Sequence, residues 1–525
     1  MLVEIDRTAN APLYLQIHQQ LREMILIGSL PEQTRLPPTR DLAKALDVNR
    51  TTVVNAYRRL WGEGLIEGRS GGGTIVAPYH PVKPAAPEGR PLAWDNLYTE
   101  CVSAAKSGLA SERALPEEGE NLVTFALGVA SGDVTARHGV LEALAEPLLH
   151  EKGILERPVP QGSPRLRKLI VEYLELDGIR ATPSQVLVLS GAEQGIFIVG
   201  QALLGRGDGV AVASPTFPGA LRAFSTIGAR VHSIPMDSEG IRLDVADGIL
   251  RHLHPKLLFV EPTFHNPTGI TMSLERRQGL LELAYRYQTP ILELDARSML
   301  RYDGLRVPSL KTLDRQNHVL YLSTFSEIVP GLRVGWLVGP QRVSQQLHAV
   351  KNSIESYTSG LGQSLACALF PWLDEHLAEI VTAYRARRDA MCDGLAENCK
   401  SLLRWTRPDG GLFIWGELQH DLLAKPVLEE ALRTGVSYVP GSHFFADGRG
   451  GKQSLRLNFA GETEERITEG VERLGRALRA AKEAKKEARS AVRKEKSRVL
   501  LDRPRLTQEL PTTTLAWEVN RRLPP

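Results

Sequence analysis

The chain has 525 residues, which is too long for one hydrophobic core and predicts about three domain-sized units. Its hydrophobic content of 42% and charged content of 24% are those of an ordinary globular protein. The net charge is only +3, so any binding to nucleic acid must come from a local basic surface and not from the chain as a whole.

The cysteines and the distribution of apolar residues indicate the cellular compartment of the protein. The four cysteines include no C-x-x-C pair, which argues against a zinc ribbon or a disulfide framework and is typical of a reducing cytoplasm. The N-terminus lacks a basic stretch followed by an apolar run, and no stretch of about 20 uninterrupted apolar residues occurs. We therefore expect a cytoplasmic protein with no metal site and no contact with a membrane.

Residues 11–77 alternate helical periodicity with turn signals, which predicts three helices and a hairpin. In the first helix, apolar residues recur every four positions from Leu13 to Ile25. The second helix is predicted over Thr39–Leu46. Its predicted core positions are Leu42, Ala45 and Leu46.

The third predicted helix is the candidate recognition helix, and Asn49 is a suitable N-cap for a helix that begins at Arg50. Its predicted core face consists of Val53, Val54, Tyr57 and Leu60. The opposite face is short, polar and basic, as suits base edges and phosphates, and consists of Thr51, Thr52, Asn55, Arg58 and Arg59. The following GLIEGRSGGGTIVA predicts a β-hairpin with Arg69 at its tip, placed to reach a backbone or a minor groove.

The string from APLYLQIHQQLR to RLPPTRDLAKALDVNRTTVVNAYRRLWGEGLIEGRSGGGTIVA closely resembles the winged helix-turn-helix of the GntR family. The resemblance implies contacts with double-stranded DNA at Arg35, Arg40, Arg50 and the exposed face of the third helix. For that helix alone, a merely solvated basic face is an equal alternative. The extent of the resemblance favours DNA.

Between Val123 and Leu478, short apolar segments alternate with longer amphipathic stretches. The predicted strands are QVLVLSG, GVAVASP, KLLFVEP, TPILELD and HVLYLST. Strands that are apolar throughout and separated by helices indicate an α/β fold with a mainly parallel sheet covered on both faces.

Several segments of this region resemble fold-type I aminotransferases: VPQGSPRLRKLIVEYL, SGAEQG at a helix start, HNPTG, PGLRVGW and SLRLNFA. With the GntR module in front, the chain resembles the MocR-type regulators over roughly residues 10–480. The resemblance implies a bacterial homodimer whose large domain binds pyridoxal phosphate, sometimes with an amino compound, and controls DNA binding.

The cofactor lysine is missing. A pyridoxal enzyme needs a lysine to hold the aldehyde as a Schiff base and to move protons. The family phrase resembles FSKxxxPGLR, whereas this chain reads TFSEIVPGLR and is one residue shorter. The lysine position is Glu327 when aligned from the left and Ser326 when aligned from PGLR, and Glu327 would place a carboxylate where the aldehyde should lie. We therefore expect no catalytic residue, no covalent cofactor and no enzyme activity.

The acid that keeps the pyridine nitrogen protonated is also missing. The family reads approximately EDDYDSEFRY and this chain reads ELDARSMLRY, so the acid falls on Leu294 and the cofactor-contacting tyrosine on Ala296. Asp295 is adjacent, but successive strand residues point to opposite faces, and only a bulge would bring it to the ring.

Six residues that the resemblance assigns to ligand binding remain. They are Gly191, Ala192, Phe217, Asn266, Arg333 and Arg456. The helix start at Gly191 would cradle a phosphate beside Arg333, and Arg456 would grip a substrate carboxylate. We interpret them first as inherited structural contacts. Noncovalent binding of pyridoxal phosphate or of another small carboxylated effector is the alternative.

We predict a winged-helix domain over residues 10–78, a linker over 79–122, an aminotransferase-like domain over 123–480, and a basic helical segment with a proline-containing tail over 481–525. Residues 473–505 hold thirteen Lys or Arg against four acidic residues. We expect a solvated, partly frayed helix there, with additional phosphate contacts as the alternative.

The preferred function is a sequence-specific transcription regulator that is associated with the nucleoid when bound to DNA. Its degenerate pyridoxal-phosphate-type domain would serve dimerisation and effector sensing. A pyridoxal-phosphate-binding regulator or an aminotransferase is the second hypothesis. A purely structural or interaction protein is the third.

Overall fold

The chain divides between Leu97 and Tyr98, inside the predicted linker, into two units in the computed structural model. The structure describes residues 3–7, 11–69, 73–78, 99, 101–102, 121–129, 145, 147–150, 156 and 158–501. The side chains of residues 69 and 491–501, most of the predicted linker and the tail lie outside this description.

The N-terminal unit packs three helices against a two-stranded hairpin. Its elements are α1 (Leu13–Leu26), α2 (Thr39–Ala45), α3 (Arg50–Gly62), β1 (Ile66–Arg69) and β2 (Gly73–Val76). The apolar stripe of α1 is confirmed, because Ile17, Leu21 and Ile25 are buried in the core of the unit. The N-cap is also confirmed, since Asn49 Oδ1 accepts a hydrogen bond from the Thr51 N–H at 2.9 Å.

Some details of this unit differ from the prediction. In α2 the buried residues are Leu42 and Ala43, whereas Ala45 is exposed in the last turn of this seven-residue helix. In α3, Ala56 is buried and Val54 is half-buried, because Val54 faces a groove beside the hairpin. The unit also begins earlier than residue 10, since Val3 packs in its core.

The second unit contains the predicted sheet and a smaller one. Its strands are β3 (Val123–Thr124), β4 (Val186–Leu189), β5 (Gly209–Ser214), β6 (Arg230–Asp237), β7 (Gly240–Ile241), β8 (Leu257–Val260), β9 (Ile291–Leu294), β10 (Val319–Thr324), β11 (Gly335–Val338), β12 (Leu403–Trp405), β13 (Phe413–Leu418), β14 (Val436–Ser437), β15 (Val439–Pro440) and β16 (Ser454–Asn458). The large sheet has the order β4-β11-β10-β9-β8-β5-β6-β7. Strands β10, β9, β8, β5 and β6 pair in parallel, and β11 runs antiparallel to β10 and β4. All five predicted strands are confirmed.

Helices cover both faces of the large sheet, and others pack beside the smaller strands. The helices of this unit are α4 (Pro164–Leu176), α5 (Ala192–Leu203), α6 (Pro218–Ile227), α7 (Leu243–Leu253), α8 (Leu274–Tyr287), α9 (Leu310–Leu313), α10 (Gln341–Ile354), α11 (Gly360–Leu369), α12 (Leu373–Asn398), α13 (Ala424–Arg433) and α14 (Glu464–Leu501). Successive residues of β4 enter different cores: Val186 and Val188 pack in one, Leu187 and Leu189 in the other. This alternation explains why the strand is apolar throughout.

The smaller sheet is antiparallel and has the order β12-β13-β16-β15. The short strand β3 lies outside it and pairs in parallel with β14. Residues 126–127, which follow β3, therefore lie near β16, where Arg456 donates hydrogen bonds to their carbonyls.

Helix α14 is unbroken from Glu464 to Leu501, so the predicted boundary at residue 480 lies inside it. At the start of the basic segment, Lys485 donates to the His420 carbonyl at 3.2 Å, and Arg489 pairs with Asp421 at 2.9 Å. These contacts hold this part of the helix against the domain, whereas we expected it to be partly frayed.

Among the described residues, no helix is both long and apolar enough to cross a membrane. The same residues contain no group of three or more His, Cys, Asp or Glu side chains that could hold a metal ion.

Candidate functional site

The exposed face of α3 carries most of the predicted DNA contacts. Arg50, Thr51, Arg58 and Arg59 are exposed, and Thr52 and Asn55 are half-buried. Arg58 lines a groove that also includes residues of α2 and of both hairpin strands. Arg59 lies over the Tyr14 ring of α1, 5.6 Å from its centroid, so its guanidinium is directed towards α1.

Polar contacts fix the orientation of α3. Glu63, just after α3, pairs with His18 at 2.7 Å and with Arg22 at 3.0 Å, and both partners lie on α1. The Tyr57 hydroxyl donates to the Pro37 carbonyl at 2.9 Å and so ties α3 to the loop before α2. Because the inner side of α3 is held in this way, its outer face is presented as a rigid surface.

Besides Arg59, four exposed arginines on or beside this face have no acidic partner within the described residues. They are Arg35, Arg40, Arg50 and Arg58. By contrast, Arg7 pairs with Asp47 at 2.8 Å and Arg22 pairs with Glu63 at 3.0 Å. Exposed cations that are not neutralised locally attract a polyanion.

The predicted hairpin is confirmed as the antiparallel pair of β1 and β2. Arg35 forms a backbone bridge with Ile75 of β2, and its side chain reaches towards the turn, because a Cβ added at Gly73 would come within 3.2 Å of Arg35 Nε. The side chain of Arg69 and residues 70–72 lie outside the described part of the chain, so a DNA contact at Arg69 stays a prediction.

The second unit contains a cavity of about 440 Å³ at the carboxyl ends of the central strands. This is where parallel α/β sheets usually bind ligands. The lining includes all predicted ligand residues except Gly191, together with both candidates for the lysine position: Ala192, Phe217, Asn266, Ser326, Glu327, Arg333 and Arg456. The sheet thus brings together residues that are more than 260 positions apart in the chain.

One end of the cavity is suited to an anion. Gly191 precedes α5 with φ +116°, and a Cβ there would lie 2.9 Å from Arg333 Nη2. Ser326 Oγ lies 3.0 Å from Thr324 Oγ1 and accepts a hydrogen bond from Arg333 Nη1 at 3.4 Å. The first N–H groups of α5 lack helical acceptors and carry the positive end of the helix dipole.

The interior of the cavity holds a buried cluster of charges. Arg297 Nη2 lies 2.7 Å from Glu327 Oε1, and Arg297 Nη1 lies 3.8 Å from Glu261 Oε1. These side chains are at most 9% exposed. Burial raises the pKa of Glu327, and it raises the pKa of Glu261 to about 7, while the Arg297 charge acts in the opposite direction.

Arg456 and Asn266 line the cavity but contact each other. Arg456 Nη1 donates to Asn266 Oδ1 at 3.1 Å, and its Nη2 donates to the carbonyls of residues 126 and 127. Its guanidinium also lies 4.3 Å from the centroid of the Phe413 ring. A carboxylate bound bidentately by Arg456 would have to replace some of these hydrogen bonds.

Sequence reasoning missed Arg297 and Glu261. Both follow buried strands, in TPILELDAR and KLLFVEP, where a charged residue is costly unless it is paired. A signal was present for Arg297, which stands at the fifth position of the family phrase EDDYDSEFRY, an aspartate, while Glu327 stands at the lysine of FSKxxxPGLR when aligned from the left. Two compensating charge changes in one chain suggest a contact.

The cavity does not fit a Schiff base of pyridoxal phosphate. No lysine is present among the described residues that line it. Leu294 is buried in the apolar core. The Asp295 carboxylate is held outside the cavity lining by the Tyr321 hydroxyl at 3.0 Å and the Ser298 N–H at 3.1 Å. The phosphate-binding end fits, whereas the end that should hold the aldehyde contains the pair of Arg297 and Glu327.

Comparison with known proteins agrees with this two-part architecture. The family model for bacterial regulatory proteins of the gntR family matches residues 13–76, and that for class I and II aminotransferases matches residues 122–474. The uncharacterized HTH-type transcriptional regulator YisV of Bacillus subtilis is 32% identical over 87% of this chain and 93% of its own length. The probable rhizopine catabolism regulatory protein MocR of Rhizobium meliloti is 29% identical over 92% of this chain and 97% of its own length. The chain belongs to the MocR-type regulators.

Among solved structures, this MocR-type chain is similar to LysN, the alpha-aminoadipate aminotransferase of Thermus thermophilus. The TM-score is 0.69 and the identity 33%, over 74% of this chain and 99% of LysN. LysN was solved in complex with N-(5'-phosphopyridoxyl)-L-leucine. The second unit of the MocR-type chain therefore has the fold of an aminotransferase domain.

The buried glutamate Glu261 gives a testable dependence of stability on pH. Its pKa is raised from 4.5 to about 7, so between these values the folded protein binds more protons than the unfolded chain. The free energy of unfolding should therefore fall as the pH rises through this window, and Glu261→Gln should remove about 2–3 kcal/mol of that fall. Urea denaturation at about pH 5 and about pH 7.5 measures the difference. The exposed Glu397→Gln should leave the profile unchanged, and an equally steep profile in Glu261→Gln would contradict the prediction.

Proposed function

We propose that this MocR-type chain is a sequence-specific DNA-binding transcription regulator. It acts as a homodimer, and its aminotransferase-like domain binds an effector without a covalent cofactor and without turnover. The observation that carries the proposal is the face of α3, where exposed arginines lack acidic partners within the described residues. We assign DNA binding to residues 10–78 and effector binding to residues 123–480.

In this proposal α3 enters the major groove. Arg50, at its first turn, and Arg58, beside the hairpin, read base edges or phosphates, and Thr51, Thr52 and Asn55 add short polar contacts. Arg35 and Arg40 contact the phosphate backbone, and Arg69 reaches it from the tip of the hairpin. Arg59 has a smaller role, since its guanidinium lies over Tyr14.

The aminotransferase-like domain keeps a cavity but lacks the groups for transamination. Pyridoxal phosphate, where bound, supplies an aldehyde that a lysine must hold and an electron sink that an acid must keep protonated. In this chain Glu327 binds Arg297, and Leu294 places a hydrocarbon where the acid should be. These residues orient charge and exclude water, and none of them can form a Schiff base. We therefore propose that Gly191, Ala192, Phe217, Asn266, Arg333 and Arg456 bind a ligand reversibly.

A screen of genomic DNA fragments with the full-length chain tests this function. We expect a small set of sequences with paired half-sites spaced for a dimer, each bound with an affinity that falls steeply with salt. Equal affinity for all fragments would contradict a sequence-specific regulator.

A cofactor-responsive regulator is the second candidate, and the intact anion-binding end of the cavity favours it. Pyridoxal phosphate would then bind through its phosphate alone. Its effect on DNA affinity distinguishes the two candidates, since only a cofactor-responsive regulator would change its affinity when this compound is added.

A further inference from the structure

We propose that the cavity of the second unit binds a phosphorylated primary amine noncovalently. The phosphate would lie at the start of α5 beside Arg333, and the amino group would lie on Glu327. This inference rests on the proposed function, because it names the chemical class of effector for the domain that we propose to be a sensor.

The phosphate end is already assembled. Arg333 is exposed and forms no ion pair within the described part of the chain. The glycine at position 191 lets its guanidinium approach the start of α5, where any side chain would collide with it. Glu193, in the first turn, also lines the cavity and pairs with Arg222 at 3.0 Å, so its charge is balanced by a second guanidinium. A guanidinium and helix N–H groups thus converge, with the Ser326 hydroxyl beside them.

The amine end is marked by an unsatisfied acceptor. Glu327 lines the cavity and its side chain is only 9% exposed. Its Oε1 is occupied by Arg297, whereas its Oε2 is buried and accepts no hydrogen bond. Buried carboxylate oxygens without a donor are rare in folded proteins, because the lost hydration is not replaced. An ammonium group of a ligand would supply that donor.

The same position disfavours an aldehyde. A carbonyl group offers only an acceptor, so it would face the Glu327 carboxylate without satisfying it. Arg297 Nε is also buried and donates to no acceptor. A hydroxyl oxygen next to the amino group of the ligand would accept a hydrogen bond from it. The cavity therefore matches an amine with a neighbouring oxygen better than the corresponding aldehyde.

The charges favour a ligand that carries both signs. Two buried carboxylates, Glu261 and Glu327, face two buried guanidiniums, Arg297 and Arg456, so the interior is close to neutral without a ligand. An ammonium placed there alone, or a phosphate at the other end alone, would use one end of the cavity and leave the other unfilled. A phosphorylated amine would place a phosphate beside Arg333 and a donor on Glu327 Oε2 within one molecule.

Two sources of this chemistry fit about 440 Å³. One is a ring that carries both groups, as in pyridoxamine 5′-phosphate, and Phe217 would then contact its face. The other is an open chain, as in O-phosphoethanolamine. The ring compound would fill the space between the phosphate end and the amine end of the cavity, and the open-chain compound would not.

Isothermal titration calorimetry of the full-length protein tests the inference. The probes are pyridoxamine 5′-phosphate, its alcohol and aldehyde counterparts, and O-phosphoethanolamine. We expect the ring amine to bind at least about tenfold more tightly than the alcohol, and the aldehyde to bind most weakly of the three ring compounds. Weaker binding of the ring amine than of O-phosphoethanolamine would assign the site to open-chain amines and keep the inference.

Variants separate the two ends of the cavity. Glu327→Gln should weaken ring-amine binding by about tenfold or more and leave inorganic phosphate binding unchanged, which also shows that the variant is folded. Arg333→Gln should weaken both. The exposed residues Glu397 and Arg342, changed to glutamine, are the matched controls and should have no effect.

Equal or tighter binding of the aldehyde, or an unchanged ring-amine affinity in Glu327→Gln, would overturn the inference. Absence of binding by every amine probe would also overturn it. DNA binding by the same preparation is measured in parallel. A protein that binds its DNA but none of the amines leaves the proposed function standing, whereas failure to bind DNA specifically contradicts that function itself.

Discussion

Arg297→Met should lower the free energy of unfolding at neutral pH by about 3–5 kcal/mol, because it leaves the Glu327 carboxylate buried without its partner. The carboxyl must then stay charged away from water or take up a proton. At about pH 7, protonating a glutamate whose unfolded pKa is 4.5 costs about 3 kcal/mol. Methionine keeps most of the contact with the Phe413 ring, over which the Arg297 guanidinium lies at 5.1 Å. Urea denaturation of the full-length protein measures the loss.

The pH dependence distinguishes an unpaired carboxylate from a loss of packing. At about pH 5 the same substitution should cost less than about 2 kcal/mol, because protonation of the carboxyls is then nearly free. Arg301→Met is the matched control, since Arg301 lies 4.7 Å from the Phe264 ring centroid but forms no ion pair within the described residues. Its cost should be similar at both pH values. An Arg297→Met cost that does not change with pH would contradict the ion-pair account.

The double variant Arg50→Ala with Arg58→Ala should lose specific DNA affinity by about 2–6 kcal/mol, with about 1–3 kcal/mol from each arginine. Both guanidiniums are exposed on α3 and lack local acidic partners in the described structure. A residue that contacts a phosphate should also reduce the slope of log affinity against log salt by about 1. Fluorescence anisotropy with the best genomic fragment, at several salt concentrations, gives both values.

Arg22→Ala is the control for this experiment. It removes one positive charge from the same unit, as Arg50→Ala or Arg58→Ala does alone, but Arg22 already pairs with Glu63 at 3.0 Å. We expect little change in DNA affinity and a small loss of stability, since exposed ion pairs contribute at most about 1 kcal/mol. If Arg22→Ala weakened DNA binding as much as Arg50→Ala or Arg58→Ala alone, only total charge would matter, and α3 would not be the recognition helix.

Much of the fold follows from local patterns in the sequence. The five predicted strands are uniformly apolar because both faces of the large sheet are covered, which is the condition that produces such runs. The start of α3 was predictable because a side-chain oxygen at Asn49 satisfies a free N–H group of the first turn. The alternation of strand faces also predicted that Asp295 turns away from the cavity. Its carboxylate accepts a hydrogen bond from the Tyr321 hydroxyl instead.

The missed features depend on tertiary contacts. Ala43 rather than Ala45 is buried because the packing of a short helix, and not its periodicity, selects the inward residue. The continuity of α14 through residue 480 was missed because the change in composition there does not change helical propensity. The pairing of Arg297 with Glu327 joins residues 30 positions apart, and no local pattern shows which charges will meet.

We propose that the second unit keeps an aminotransferase fold without a lysine that anchors the cofactor. Incubation of the full-length protein with pyridoxal phosphate, followed by borohydride reduction and peptide mass spectrometry, tests this proposal. We expect no stoichiometric pyridoxyl-lysine and an unmodified peptide around Glu327. A stoichiometric adduct on one lysine that is lost when Arg333 is changed to glutamine would contradict it.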